Sequence, residues 1–272
     1  MNKISVITVT YNSERTIKEC LESIKKFSPE SEIIVVDNGS NDRTLEIIES
    51  IGKKIKLIET GENLGFSKAN NLGAKDAIGD YLVFLNPDAI LTKNGDLESL
   101  KKILEKNPQY AILGPKLIYP DNALQPKARN LPTVFRAFEE YVLGLRGAYS
   151  FYEPKCQNFC EVESVNGACM IIRKELFNSI GGFDEKYFMY YEELDLCRKL
   201  RKLGKKIGFA PEAVVIHAEG ISSGQNEKTA AIMKDSAKKY FGLLNYFLLQ
   251  PIFFYNRILN RIRKTIGLRV YA

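Results

Sequence analysis

The chain has 272 residues, a formal net charge of +6, 45% hydrophobic and 26% charged residues, which is ordinary globular material with length for a sizeable core. The charge excess is too modest to point to a nucleic-acid partner, and one large domain with an appendage fits this length better than two equal ones. The five cysteines, Cys20, Cys156, Cys160, Cys169 and Cys197, are odd in number, which favours reduced thiols and a cytoplasmic protein. Cys156 and Cys160 can alternatively serve as metal ligands, although His217 is the one histidine and no second cysteine pair exists.

The chain goes straight into an apolar strand at Ile4–Val9, with none of the parts of a secretion signal, so an unsecreted protein is expected. Ile17, Cys20, Leu21, Ile24 and Phe27 then recur at helical spacing, with Asn12 or Ser13 available as cap. Ile33–Val36 is a second strand, ending in Asp37-Asn38-Gly39-Ser40-Asn41-Asp42, and Leu45, Ile48 and Ile51 mark a second helix. Ile55–Ile58 is a third strand, followed by Asn63-Leu64-Gly65-Phe66 and a helix whose small or apolar face carries Phe66, Ala69, Asn70, Gly73 and Ala77. The fourth strand, Tyr81–Leu85, is apolar throughout and stops at Asn86-Pro87-Asp88, where Pro87 has no N–H for a ladder. Strands alternating with helices predict a mostly parallel, doubly wound α/β sheet, whose ligands lie beyond the strand C-termini.

A helix over Leu97–Leu104 and a strand at Tyr110–Leu113 follow. From Pro115 to about Glu161 prolines interrupt the pattern, which reads as a loop-bearing excursion with a short helix over Val134–Leu145. Val162–Arg173 reads as one strand with a glycine at a close approach, then a short helix ends at Gly181-Gly182. Glu192, Glu193 and Asp195 occupy the first turn of a helix continued by Leu196, Leu200 and Leu203, and Gly208–Ile216 gives one or two strands ending in His217. After a polar loop at Ser222–Lys228, a helical segment carries Phe241–Phe254, too short to span a bilayer. Beyond it, Arg257, Arg261, Arg263, Lys264 and Arg269 interleave with Ile258, Leu259, Ile262 and Ile266. That basic amphipathic pattern suits an anionic membrane surface, or equally a helix packed on the catalytic domain or on a second copy of the chain.

No GxGxxG follows the first strand and no P-loop exists, which excludes dinucleotide redox and P-loop chemistry. Asp88 is either a turn aspartate or a ligand for a hard divalent cation bridging a diphosphate, and His217 either completes that site or is a satisfied core side chain. The acids at 192, 193 and 195 read as helix N-terminal enrichment or as a general base with neighbours that hold an acceptor or raise its pKa.

The strings TVTYNSERTIKECLESI, IIVVDNGSNDRT, ENLGFSKANNLGAKDAIGDYLVFLNPDA and VNGACMIIRKELFNSIGGFDEKYFMYYEELDLCRKLRKLGKKIGFAPEAVVIH, in this order, resemble the family 2 glycosyltransferases of the GT-A fold. Within the family they look most like the rhamnosyltransferase-type enzymes of bacterial surface polysaccharide assembly, over roughly residues 3–220. The resemblance implies a GT-A catalytic domain (1–225) followed by a helical extension (226–272); the cysteines and the absence of a signal point to a cytoplasmic location, and the basic tail to contact with the inner membrane face. The resemblance also implies that Thr10, Tyr11 and Asn12 line a nucleotide pocket, that Asp37 with Asn38 reads the base, and that Asn63, Gly65, Phe66 and Asn70 lie against nucleotide and sugar. Asp88 matches the last acid of the family's Asp-x-Asp element, with Asn86 in place of the first, and His217 matches a histidine near the metal, manganese or magnesium. Glu193 is the implied base, Glu192 the second choice, with Asp195 in the same motif. The implied chemistry is inverting transfer from a nucleotide-diphosphate sugar to a glycan or lipid-linked acceptor. A sugar nucleotidylyltransferase is a rival, but lacks its basic glycine-rich loop here; a silent glycan-binding scaffold is another.

Overall fold

The computed structural model describes residues 3–52, 54–93, 97–218 and 227–265. The alternation read from the sequence is present as β1 (Ile4–Thr10), α1 (Ile17–Phe27), β2 (Glu32–Asp37), α2 (Thr44–Ile51), β3 (Ile55–Glu59), α3 (Gly65–Asp76) and β4 (Tyr81–Leu85). Then come β5 (Ala89–Leu91), α4 (Leu97–Lys106) and β6 (Tyr110–Ile118). The excursion holds β7 (Leu124–Gln125), β8 (Ala128–Arg129), α5 (Val134–Tyr141) and β9 (Phe151–Tyr152). The chain closes with β10 (Cys160–Val162), β11 (Cys169–Arg173), α6 (Lys174–Ser179), α7 (Glu192–Lys202), β12 (Lys206–His217) and α8 (Glu227–Thr265).

The main sheet has the order β10-β12-β6-β11-β4-β1-β2-β3. β1 to β4 run parallel, as expected, while β11 runs antiparallel to both β4 and β6, so the other half of the sheet is mixed. Helices cover both faces. One core packs Ile17, Leu21 and Ile24 of α1 with Leu97 and Leu100 of α4 against the sheet. The other packs Ala69 of α3, Phe177 of α6 and Leu196 of α7 against the opposite face. There Phe84 of β4 is fully buried, with ring centroids 5.0 Å from Phe177 and 4.9 Å from Phe183. Burial of such a ring contributes about 1.5–3 kcal/mol, and each aromatic pair roughly 0.5–1.5 more.

Several local expectations are corrected. Neither Asn12 nor Ser13 caps α1, whose N-cap position is Thr16 with no side-chain cap bond. Asn12 instead takes φ 51° and spends its side chain on the neighbouring loop. The single strand expected over Val162–Arg173 is broken, because Asn166 Oδ1 accepts from the Ala168 N–H at 2.9 Å and turns the chain out of the sheet before β11. β6 runs past Pro115 to Ile118. It can do so because Pro115 pairs with Ala210 where β12 bulges, so its missing N–H falls at an interruption of the ladder. Cys156 and Cys160, expected as thiols or metal ligands, are joined in a disulfide, their Cα atoms 6.1 Å apart. The chain folds back over four residues and brings them together, which cysteine parity does not reveal. Cys20, Cys169 and Cys197 are free and buried, as expected.

α8 is two helices broken at Gly242 (φ 74°, ψ 158°). Its first part is docked on the loop before α7: Ser236 Oγ donates to Met189 O at 2.8 Å and Lys239 Nζ to Lys186 O at 2.6 Å. The proposed domain boundary at 225/226, most of the loop Ser222–Lys228, Ile266 and Arg269 lie outside the described residues. Among the described residues no helix is long and apolar enough to cross a membrane.

Candidate active site

The register of the sheet brings the ends of β1, β2 and β3 level, with Thr10 opposite Asp37 and Asp37 opposite Glu59. The three loops beyond them are tied together. Asn12 N–H donates to Ser40 Oγ at 2.9 Å, Asn12 Oδ1 accepts from Asn41 N–H at 2.8 Å, and Asn38 Nδ2 donates to Gly65 O at 3.1 Å. Asp37 is 1% exposed and its carboxylate is fully engaged: Thr10 Oγ1 and Ser40 Oγ donate to one oxygen, the Gly39 and Ser40 N–H groups to the other. A carboxylate accepts about four hydrogen bonds. Asp37 therefore pins the 38–41 loop in this structure. Asn63 Oδ1 accepts from Gly65 N–H at 3.0 Å, and Asn70 Nδ2 donates to Phe66 O at 3.0 Å, so both shape the start of α3. Tyr11 is exposed over the same edge, and the buried Asn38 Oδ1 has no partner among the described residues.

Asp88 is not an exposed turn residue: it is 5% exposed, with its carbonyl accepting from Ala218 N–H at 3.0 Å. β5 pairs Ala89 with His217, which sets His217 Nε2 3.4 Å from Asp88 Oδ1. The buried Gln125 Oε1 lies 2.9 Å from His217 Nδ1. Since an amide oxygen can only accept, Nδ1 carries a proton, and Nε2 faces the same space as the Asp88 carboxylate. The imidazole nitrogen and the carboxylate are the two side chains here that would hold a divalent cation; among the described residues no third His, Cys, Asp or Glu joins them. Asn86 contributes its backbone: its N–H donates to Ala168 O at 2.9 Å, tying the Asp88 loop to the entry of β11.

The third group sits at the start of α7. Tyr190 and Tyr191 both take left-handed φ, 73° and 70°, a cost of order 1–3 kcal/mol each for a bulky residue, and they deliver Glu192 and Glu193 to the inside. Glu192 is buried with one carboxylate oxygen unpartnered among the described residues, and burial plus the Glu193 charge push its pKa well up. Burial also raises Glu193, while Arg129 and Lys127 act in the other direction. Asp195 does not join them. Two or three residues on, it faces away, paired with Arg198 and with Lys199 Nζ at 3.2 Å, so the acid beside Glu193 is Glu192.

A raised carboxylate pKa means that the folded state holds extra protons above the unfolded value near 4.3, so stability falls as pH rises through the folded value. Glu192→Gln is therefore expected to raise the melting temperature at pH 7–8, by about 2–4 °C per kcal/mol recovered, with the gain vanishing near pH 4. Melting curves across that range check it.

Gly167 joins the three groups. A Cβ built there would lie 3.7 Å from Phe66 Cζ and 3.8 Å from Glu193 Cβ, so the donor-side loop, the acids of α7 and the segment bonded to Asn86 converge on one point.

The sequence matches the Glycosyl transferase family 2 over residues 5–181. The chain is a family 2 glycosyltransferase. It is 31% identical over 241 residues to the N-acetylglucosaminyl-diphospho-decaprenol L-rhamnosyltransferase of Mycobacterium tuberculosis, covering 82% of this chain and 78% of that one. This places the transferase with the rhamnosyltransferase-like members and with enzymes of polysaccharide synthesis. Among solved structures, GalNAc-T7 with UDP, GalNAc and Mn2+ superposes with a TM-score of 0.63 at 17% identity, over 88% of this chain and 50% of that one. The mannosyltransferase PcManGT from Pyrobaculum calidifontis, in complex with GDP-Man and Mn2+, gives 0.61 at 19% identity, over 95% and 70%. The fold of the transferase is thus GT-A, with an added C-terminal helix.

Sequence reasoning missed Gln125, Lys127 and Arg129 of the transferase. They alternate at period two between Pro120 and Pro132, a strand signal that the prolines conceal.

Proposed function

We propose that the enzyme transfers a sugar, rhamnose being the first choice, from a nucleotide diphosphate to a hydroxyl of a lipid-linked glycan, with inversion. The convergence of Phe66, Glu193 and the Asn166–Ala168 segment at Gly167 carries this reading, since it sets a base-competent carboxylate beside the donor-side loop. Rhamnose and the diphospho-lipid acceptor are supported by the name of the mycobacterial relative.

Thr10, Tyr11, Asn12 and Asn38 line the nucleotide side, with Asp37 holding that loop in shape. Asn63, Gly65, Phe66, Asn70 and Asn86 form the wall between nucleotide and sugar. Glu193 accepts the proton of the attacking hydroxyl as that oxygen bonds the anomeric carbon and the nucleoside diphosphate leaves from the opposite face. Burial raises the Glu193 pKa, which strengthens it as a proton acceptor. Asp88 and His217 would hold a manganese or magnesium ion, which neutralises the charge of the departing diphosphate. Gln125 fixes the His217 tautomer for that task.

The test is thermal stabilisation by a panel of nucleotide sugars with and without manganese. dTDP-rhamnose with manganese should stabilise most, and Asp88→Ala should remove the manganese-dependent part, a loss of about tenfold or more in affinity. Indifference to every nucleotide sugar sinks the reading.

The tail is proposed to rest on the inner membrane face. Leu243, Leu244, Phe247, Leu248, Phe254, Ile258 and Ile262 are exposed beside Arg257, Arg261, Arg263 and Lys264. Flotation with anionic liposomes should be lost in Leu244→Asp/Phe247→Asp. Flotation that persists, or a dimer in solution that this variant splits, refutes it.

A further inference from the structure

The excursion carries a group of side chains that the donor site does not use. Lys127 and Arg129 stand two residues apart around β8, so their side chains leave the same face of the strand. Both lie over one ring: Lys127 Nζ is 5.0 Å and the Arg129 guanidinium 5.3 Å from the centroid of Phe151. Arg129 also stacks 4.7 Å over Tyr149, and its Nε donates to Tyr149 O at 2.7 Å. Arg129 takes part in no ion pair among the described residues. Its positive field reaches both Glu193 and Tyr191, the residue preceding the two acids.

On its other side Tyr149 packs on Tyr141 of α5 and Phe253 of α8, with centroids at 5.6 and 5.7 Å. α5 and α8 expose Phe138, Leu244, Phe247 and Leu248, and a groove of about 360 Å³ lies between Phe135 and Arg198, Tyr240, Phe241 and Asn245. The surface therefore runs in a fixed order: carboxylate base, paired cations on an aromatic floor, apolar face. An acceptor whose sugar hydroxyl, diphosphate and lipid chain follow in that order matches it at every step. Two cations over one ring suit adjacent phosphates, and guanidinium binds phosphate through a planar fork.

We infer that Lys127 and Arg129 form the subsite for the diphosphate of a lipid-linked acceptor, with the lipid leaving over Phe151 toward α5 and α8. This rests on the glycosyltransferase reading above and goes beyond it, because the cations serve the acceptor's diphosphate and not the donor's.

Isothermal titration of the full chain with farnesyl diphosphate, farnesyl monophosphate, dTDP and UDP separates the two. The wild type is expected to bind the farnesyl diphosphate about tenfold tighter than the monophosphate, and Lys127→Gln and Arg129→Gln each to lose about tenfold for the diphosphate while keeping nucleotide affinity. Arg129→Lys should retain part of the binding. If Arg129→Gln does not fold, Lys127→Gln alone decides. Unchanged farnesyl diphosphate affinity in either folded glutamine variant overturns the subsite. A parallel loss of dTDP or UDP overturns it too, since the cations then serve the donor. Farnesyl diphosphate binding through these residues, in a chain that binds no nucleotide, supports the subsite and refutes the transferase chemistry instead.

Discussion

Glu193→Gln is expected to lower the transfer rate by about 10²–10⁴-fold while nucleotide-sugar affinity stays near that of the wild type. Gln keeps the size of the side chain and removes the one property a base needs. The change leaves the nucleotide-side bonds of Asp37, Asn38 and Asn63 intact, because none of them involves Glu193. Glu192→Gln is the matched control. Burial and the Glu193 charge hold the proton on Glu192, and Gln mimics that neutral form, so turnover and the acid limb of the rate profile should both be retained. Single-turnover rates and donor titrations of both variants decide the assignment: wild-type-like transfer in Glu193→Gln, or its loss in Glu192→Gln alone, transfers the role of base to Glu192.

Gly65→Ala should impair both halves of the site at once. Gly65 sits at φ +81°, where an alanine costs about 1–2 kcal/mol, and its new methyl would lie 2.4 Å from Phe188 O and 2.7 Å from Phe188 Cδ2. Phe188 O is the acceptor of the Phe66 N–H at 2.6 Å, and Phe188 lies in the loop that leads into the strained tyrosines and Glu193. Relief of the clash moves either the donor loop or the approach to α7. Donor affinity and turnover should each fall by about tenfold or more, with melting lowered by about 4 °C or more. Gly61→Ala isolates the contact, since Gly61 has nearly the same φ, +73°, with open space where its methyl would go. Equal behaviour of the two variants in calorimetry and assay would remove Phe188 from the argument.

The sequence made the donor half legible because each buried strand there ends abruptly in polar residues, so strand ends and loop ligands could be read together. The acids at 192, 193 and 195 were legible only as a group in a first helical turn, and the choice of Glu193 among them came from the family resemblance. Asp195 looked identical in that turn, yet the helical rotation carries it to the side where Arg198 and Lys199 meet it. The antiparallel direction of β11 was hidden, since an apolar run does not encode its partners. Gln125 and His217 are bonded across 92 residues, and only the pairing of β5, β6 and β7 with β12 and one another brings them together. The disulfide between Cys156 and Cys160 was misread for the same reason: parity counts cysteines but does not fold the chain.

The excursion leaves the sheet from β6 and returns through β10, and β12 lies between them, paired with both. Departure and return thus straddle a single strand, and the segment between Tyr119 and Phe159 is an insertion tied back to the scaffold through Gln125, Arg129 and Arg136. A graft of that segment leaves the turn and the helix that carry Asp88 and Glu193 in place, and it has to keep Gln125, whose bond holds His217. Grafting that segment, with Gln125 retained, is the natural way to ask whether the proposed acceptor subsite travels with it.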